Sequence, residues 1–372
     1  MQSVIIGPNQ AGQRFDKFLH KYLPQAPTSF LYKMLRKKNI TLNGKKAEGK
    51  EMLKEGDEVK LFFAEDTFAK FAGTAGVTGS DGAGQGPADS LRTAEYEAAF
   101  HKLKNIQVVY EDDHVLILNK PSGILTQKAS PTDISLNEWM IGYLLHTQNI
   151  TAKELHSFKP SVCNRLDRNT SGLVLCGKSL AGSQALSKLI HDRSVRKFYR
   201  TIVGGSVTKS RQIEDYLIKD EKTNTVKVLD QQTVLPLRTK VTPGADAGSW
   251  NEAVQKDMAD ASWIRTAYMP LKQLDNKYTY LEVELITGKT HQIRAHLASI
   301  GHPLLGDHKY GSTQVNQSFK QRYRLSSQLL HAYRLEFPVL TGVLGGLSGQ
   351  TVIAPLPTMF EKILKDYNVE VN

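Results

Sequence analysis

Asn164-Arg165-Leu166-Asp167-Arg168-Asn169-Thr170-Ser171-Gly172 is the stretch on which the reading of this chain turns. It sets one carboxylate between two arginines, in a turn that runs into the apolar segment Leu173-Val174-Leu175-Cys176. Guanidinium groups within a few ångströms hold a carboxyl in its ionised form, and an ionised carboxylate on a loop can act as a nucleophile. A structural ion pair at a strand entrance fits the same residues. For an isolated Arg-x-Asp-Arg it is the commoner outcome, because structural networks perturb carboxylates as active sites do. The choice rests on the remainder of the chain.

The 372 residues are enough for two or three domains, each with a buried core. Composition is that of a soluble globular protein, 40% hydrophobic and 23% charged. Lys and Arg number 48 against 37 Asp and Glu, a net charge of +11 that favours a polyanionic partner, nucleic acid before anionic membrane. No apolar run approaches the roughly 20 residues of a membrane span, and the opening Met1-Gln2-Ser3-Val4-Ile5-Ile6-Gly7 has no signal-peptide pattern. Two cysteines, Cys163 and Cys176, make neither a disulfide framework nor a zinc site. A reduced, cytoplasmic protein without a membrane partner is expected, and a monomer.

Three zones divide the chain: a basic block over 1–63, a Gly-rich polar linker over 64–100, and a larger domain over 101–372. In the first, Phe15, Phe18, Leu19, Tyr22 and Leu23 recur at helical spacing with Arg14, Lys17 and Lys21 opposite. Thr28 or Ser29 can cap a second helix, which ends on Arg36-Lys37-Lys38 at the negative pole of its dipole. A strand over Ile40-Thr41-Leu42 then enters an Asn43-Gly44 hairpin turn, and Glu55-Gly56-Asp57 makes a second turn. Residues 1–63 hold 12 basic and 6 acidic side chains, so 6 of the 11 excess charges lie in a sixth of the chain. Charge runs are usually solvated helix faces, but a cationic helix end beside a basic hairpin can also grip phosphates.

In the large domain Gln107 to Tyr110 and Val115 to Leu118 read as strands around the acidic turn Glu111-Asp112-Asp113, followed by the turn Asn119-Lys120-Pro121-Ser122-Gly123. Ser179 can cap a helix bearing Ala185, Leu186, Leu189 and Ile190, and Lys197 to Val203 returns to strand. Leu281, Val283 and Leu285 alternate with Tyr280, Glu282 and Glu284, the pattern of a half-buried strand. Thr290 can cap a helix whose apolar face is Ile293, Leu297 and Ile300, with Arg294 beside that stripe. Taken singly, Tyr199 reads as a core aromatic and Arg294 as a surface cation. Gly288-Lys289-Thr290 is not a phosphate loop, because Val283 stands where its first glycine belongs. Ser171 lacks the nucleophile elbow, and His291 and His296 are five apart rather than the four that pairs metal ligands on a helix. No metal and no cofactor are expected.

In order along the chain, these segments resemble the RluA/RluD-type pseudouridine synthases. The resemblance rests on Asn119-Lys120-Pro121-Ser122-Gly123, Arg165-Leu166-Asp167 with Thr170-Ser171-Gly172, and Lys197-Phe198-Tyr199. It continues through Leu285 to His296, Gly301 to Asp307, Leu330-His331-Ala332 and Ala354-Pro355-Leu356-Pro357. Residues 12–63 resemble the small RNA-binding module first seen in ribosomal protein S-four. The resemblance implies an α+β fold, a mixed and mainly antiparallel central sheet with flanking helices, plus a small N-terminal α/β RNA-binding module. It implies cofactor-free isomerisation of uridine in RNA, ribosomal RNA before transfer RNA. Asp167 would be the essential carboxylate, acting on the anomeric carbon or on the neighbouring sugar proton. Arg294 would pair with it, Tyr199 would pack on the uracil, and Arg165 would fill the space left by the extruded nucleotide. Lys120, His291 and Gln292 would contact substrate, and Arg14, Lys17, Arg36, Lys37, Lys38 and Asn43 would hold RNA outside the site. Asn39 stands where Gly is commoner and can take the left-handed conformation that stops the second helix; Asn164 and Lys289 depart from the commoner His and Arg, and the segment 231–262 and the Gly-rich linker are longer than usual. A non-catalytic RNA-binding or ribosome-assembly factor has no chemical use for Asp167, Tyr199 and Arg294 together, and a carboxylate hydrolase would want a second acid.

Overall fold

The computed structural model describes residues 1–72, 87–152, 154–156, 158–220, 223–230 and 261–370. The N-terminal strands β1 (Gln2–Ile5), β2 (Ile40–Leu42), β3 (Lys45–Lys46) and β4 (Glu58–Leu61) form an antiparallel sheet in the order β1-β4-β2-β3. Two helices, Phe15–Tyr22 and Thr28–Arg36, lay Phe15, Phe18, Leu19, Leu31, Met34 and Leu35 on a common core. The expected hairpin is present, with Asn43 (φ 51°) and Gly44 (φ 70°) both left-handed, as its two-residue turn requires.

Two local expectations here are corrected. The second helix is entered through Pro27, with no side-chain cap from Thr28 or Ser29, because proline already holds the extended backbone that precedes a helix. It ends with Lys38, not Asn39, in the left-handed conformation (φ 59°). Lys38 N–H donates to Leu35 O at 3.1 Å and Asn39 N–H to Met34 O at 2.9 Å, a Schellman close.

The linker expected over 64–100 is helical at both ends, Glu65–Ala72 and Pro87–Lys102, while its Gly-rich middle lies outside the described residues. Phe68 and Phe71 pack into the N-terminal core, Phe71 with its ring 4.3 Å from that of Phe30. Tyr96, Ala99 and Phe100 sit one helical turn apart and join the core of the larger unit. Glycine and polar content conceals these two short stripes.

The larger sheet contains β5 (Gln107–Glu111), β6 (Val115–Lys120), β7 (Ser161–Val162), β8 (Ser171–Gly177), β9 (Arg196–Gly204), β10 (Arg211–Asp220), β11 (Thr225–Asp230), β12 (Ser262–Leu274), β13 (Tyr278–Leu285), β14 (Leu330–Glu336) and β15 (Thr351–Ile353). Its main path is β11-β10-β12-β13-β9-β14-β8-β6-β5, with β15 on β14 and β7 on β8. Every pairing is antiparallel except β14 with β8. The mixed, mainly antiparallel α+β architecture is the expected one.

Side-chain alternation sorts the sheet into two faces. Leu116, Leu118, Val174, Cys176, Tyr199, Val203, Leu281 and Val283 face one core, with the helix Leu136–His146 and Ile293 and Leu297 of the helix Gln292–Ser299. Val115, Ile117, Leu173 and Leu175 face another, with Leu186. Ile202 and Tyr280 meet Phe319 and Phe360 of the helices Thr313–Tyr323 and Thr358–Asp366. Each such buried aliphatic or aromatic side chain contributes roughly 1.5–3 kcal/mol. β13 is covered on both sides rather than half-buried. Glu282 is buried there because Arg200 and Arg334 pair with its two oxygens at 3.0 and 2.8 Å.

Candidate active site

Asp167 sits on the loop that leads into β8. The loop is held through its main chain, largely by residues of the 120–126 turn. Thr126 Oγ1 donates to Leu166 O at 2.8 Å and accepts from Leu166 N at 3.2 Å. Gly123 N–H donates to Arg168 O at 2.9 Å, Ser122 Oγ donates to Asn169 O at 2.9 Å, and Thr170 N–H donates to Asp167 O at 3.0 Å. Lys120 is fully buried, and its ammonium donates to the carbonyls of Pro121, Ile124 and Arg168 at 3.0, 2.8 and 3.0 Å. Burial pushes its pKa down to about 7, against the nearby Asp167 charge, which raises it. The expected substrate contact at Lys120 is therefore corrected: the side chain braces the loop. Asn164 is likewise occupied, its Oδ1 accepting from Leu175 N at 2.7 Å.

The side chain of Asp167 remains 28% exposed. Its Oδ2 accepts from Arg294 Nη1 at 2.8 Å. The flanking Arg165 and Arg168 are exposed, and neither forms an ion pair with Asp167, so the charge partner expected from the adjacent sequence is replaced by one 127 residues away. Consecutive side chains on a turn diverge, whereas Arg294 comes from the facing helix. That arginine is buried, not superficial, and its remaining donors grip Asp307, Nε to Oδ2 at 2.7 Å and Nη2 to Oδ1 at 2.9 Å. Burial lowers its pKa, but Asp307 and Asp167 raise it more, and it stays a cation. Asp307 is fully buried. Burial raises its carboxyl, and Arg294 with the amides of Lys309 and Tyr310 brings it below the usual aspartate value. Asp307, Arg294 and Asp167 thus form a linear clamp, with only the last carboxylate reaching the surface.

Tyr199 is buried on β9, on the sheet face that carries Ile293 and Leu297. Burial and the Asp167 charge hold its hydroxyl pKa well above that of free tyrosine, so it is neutral at physiological pH. His291 stands at the entrance of the helix Gln292–Ser299 in the left-handed conformation (φ 52°) and is its N-cap residue, in place of the expected Thr290. Its Nε2 lies 3.8 Å from Asp167 Oδ2, and its Nδ1 lies 3.0 Å from Tyr310 Oη. Burial lowers the His291 pKa and makes it a neutral ring. Gln292 is corrected as a substrate contact. Its buried amide accepts from Thr287 Oγ1 and Lys289 N and donates to Arg265 O and Thr266 Oγ1, all within 3.1 Å. His296 faces Thr266 and Asp215, away from His291.

Outside the site, Lys17, Lys33, Arg36, Lys37, Lys38, Lys45 and Lys46 are exposed on the N-terminal unit. Arg14 pairs with Asp16, and Asn43 links Asp57 and Glu58 across the module, so these two serve its structure. The extended 231–260 segment lies outside the described residues. Asp307 and Tyr310 had no expected role; the one signal was Gly306-Asp307 following Pro303, which does not reveal a partner at Arg294.

The family model described as RNA pseudouridylate synthase matches residues 114–299. Ribosomal large subunit pseudouridine synthase C of Buchnera aphidicola subsp. Schizaphis graminum is 27% identical over 364 residues, 97% of this chain and 96% of that protein. The protein of the same name from Rickettsia typhi is 30% identical over 302 residues, 81% of this chain and 83% of its own. Among solved structures, Human RNA Pseudouridylate Synthase Domain Containing 4 superposes with a TM-score of 0.54 at 18% identity, over 76% of this chain and 98% of that one, a likeness of fold.

Proposed function

Because the chain belongs to the RNA pseudouridylate synthase family, we propose that it isomerises uridines of large-subunit ribosomal RNA to pseudouridine, with Asp167 as the acting carboxylate. The observation that carries the assignment of residues is the clamp: Arg294 Nη1 holds one oxygen of Asp167 at 2.8 Å and leaves the other without a partner among the described residues. An oxygen so presented serves either scheme, attack on the anomeric carbon or removal of the neighbouring sugar proton. Tyr199, neutral and largely buried, supplies the apolar surface on which a uracil can turn after the glycosidic bond breaks.

The target bond is inaccessible in a stacked helix, so the nucleotide must be everted at a cost of a few kcal/mol that protein contacts offset. Exposed Arg165 stands next to Asp167 and is suited to occupy the vacated space. The basic end of the Thr28–Arg36 helix and the Lys45–Lys46 edge supply phosphate contacts in the manner of the S-four module. Transfer RNA is the second substrate candidate. Among the described residues no helix is long and apolar enough to cross a membrane, and we place the enzyme in the cytoplasm as a monomer.

Asp167→Asn should abolish pseudouridine formation while leaving RNA affinity within about an order of magnitude, since phosphate contacts dominate binding. Mapping pseudouridines in total RNA with and without the protein identifies the target. Isomerisation by the Asn variant would refute the assignment, and free uracil would point to hydrolysis.

A further inference from the structure

Tyr310 lies where three elements meet. Its ring packs with Leu217, Val226, Ile264 and Ala295, and the Arg294 guanidinium lies over it at 5.3 Å. Its hydroxyl accepts the Val226 N–H of β11 at 2.9 Å and sits 3.0 Å from His291 Nδ1. A phenol has one hydrogen to donate. With one lone pair taken by the Val226 amide, donation to Nδ1 gives both groups a partner. The other side of the imidazole points the same way. Nε2 faces the Asp167 carboxylate at 3.8 Å, where a lone pair would be repelled and an N–H attracted.

Resting on the isomerase reading above, we propose that Tyr310 is a positioning residue. Seated by the Val226 amide, it fixes His291 in the tautomer with its proton on Nε2 and presents that N–H to a substrate oxygen entering beside Asp167. At 3.8 Å the N–H is beyond bonding distance of the carboxylate and available to the incoming nucleotide. The groups that face His291 are Asp167 from the loop before β8, Arg294 from its own helix, Asp307, Lys309 and Tyr310 from the following loop, and the β11 edge. Burial, Arg294 and Lys309 oppose a second proton, and Asp167 and Asp307 favour one, with neutrality the net result. Lys309 Nζ donates to Asn224 O at 2.6 Å, which latches the turn between β10 and β11 and keeps Val226 against Tyr310.

The test is Tyr310→Phe, which keeps the ring and removes the hydroxyl. Nitrogen-15 NMR of histidine-labelled enzyme without RNA reads the tautomer directly. The unmodified enzyme should carry its proton on Nε2 of His291. The variant should shift towards the other tautomer by about five- to tenfold, the change that one neutral hydrogen bond makes in an equilibrium. A hydroxyl donated to Nδ1 favours the neutral ring, so its loss raises the His291 pKa and moves the acidic limb of kcat to higher pH. kcat/KM should fall, because the N–H is less often aimed at the incoming nucleotide. A proton on Nδ1 in the unmodified enzyme, or the same tautomer and pH profile in the variant, would overturn the proposal. Neither NMR reading depends on turnover, so the proposal and the isomerase assignment fail separately.

Discussion

Asp307→Asn separates the charge of the clamp from its shape. The native carboxylate takes two donors from Arg294 at 2.7 and 2.9 Å, and its Oδ1 also takes the amides of Lys309 and Tyr310 at 2.9 and 3.1 Å. An asparagine keeps one oxygen, which those amides retain. Its NH2 then meets Arg294 Nε donor against donor. Breaking a buried pair from one side costs about 3–5 kcal/mol. Asp167 still neutralises Arg294 from 2.8 Å, which places the expected loss at the lower end, about 3 kcal/mol. A protein with roughly 5–15 kcal/mol of stability survives this, so activity can be measured on folded material. Arg294, released on one side, fixes Asp167 less firmly, and a displacement of about 1 Å at such a group costs on the order of 100-fold in rate. Urea unfolding and single-turnover pseudouridine formation read the two effects. The sign with pH is set by the lowered Asp307 carboxyl. Its stabilisation is complete above the unfolded value of 3.8 and is lost as pH falls through the lower folded value. The stability gap between the two proteins should be constant near neutrality and close only in acid. A gap below about 1 kcal/mol at neutral pH, or one that closes as pH rises, would show that the clamp does not carry this energy.

Lys120→Met leaves the carbonyls of Pro121, Ile124 and Arg168 without their common donor. It should cost about 1–3 kcal/mol and lower kcat with RNA affinity unchanged; a drop in affinity alone would restore the direct substrate role that the resemblance implies. Replacing Lys37 and Lys38 by alanine should reduce the slope of log affinity against log salt by nearly one unit for each phosphate no longer neutralised, about two in all. Filter binding over a salt series measures it, and an unaltered slope would remove this helix end from the RNA-binding surface.

The elements are legible wherever one face or one turn decides them. The Asn43-Gly44 hairpin and the Ser179 cap follow from local rules, and the structure has both; β13 forms where its alternation places it but is covered on both faces. The errors fall where a distant neighbour intervenes. Glu282 reads as solvent-facing until Arg200 of β9 and Arg334 of β14, one strand further along the sheet, pair with it. Taken singly Arg294 reads as a surface cation because both its carboxylates lie elsewhere in the chain, and only the family resemblance points to its pairing with Asp167, a contact the structure has. Arg165 and Arg168 read as the natural partners of Asp167 because they are adjacent, yet adjacency on a turn separates side chains. The resemblance makes Lys120 and Gln292 substrate contacts, but both are buried and fully engaged with the protein.

These engagements have a common physical logic. A carboxylate that must meet substrate has to stay at the surface, where a loop would ordinarily let it wander. The chain fixes it by immobilising the backbone beneath it and one of its oxygens beside it. The single parallel pairing in the sheet sets the base of that loop, Ser171 against His331 and Gly172 against Ala332. Ser171 Oγ and His331 Nδ1 lie 2.8 Å apart, and burial drives the histidine pKa down to about 4, so the ring is a neutral partner there. Gly172 has φ +110°, and a Cβ at that position would lie 2.2 Å from Ala332 O, so only glycine lets the two strands close. From there Thr126, Ser122, Gly123 and Lys120 take up the loop carbonyls, and Arg294 takes Oδ2. Asp167 is thereby held without being enclosed, and the oxygen that no described residue occupies is left open for the role proposed for it.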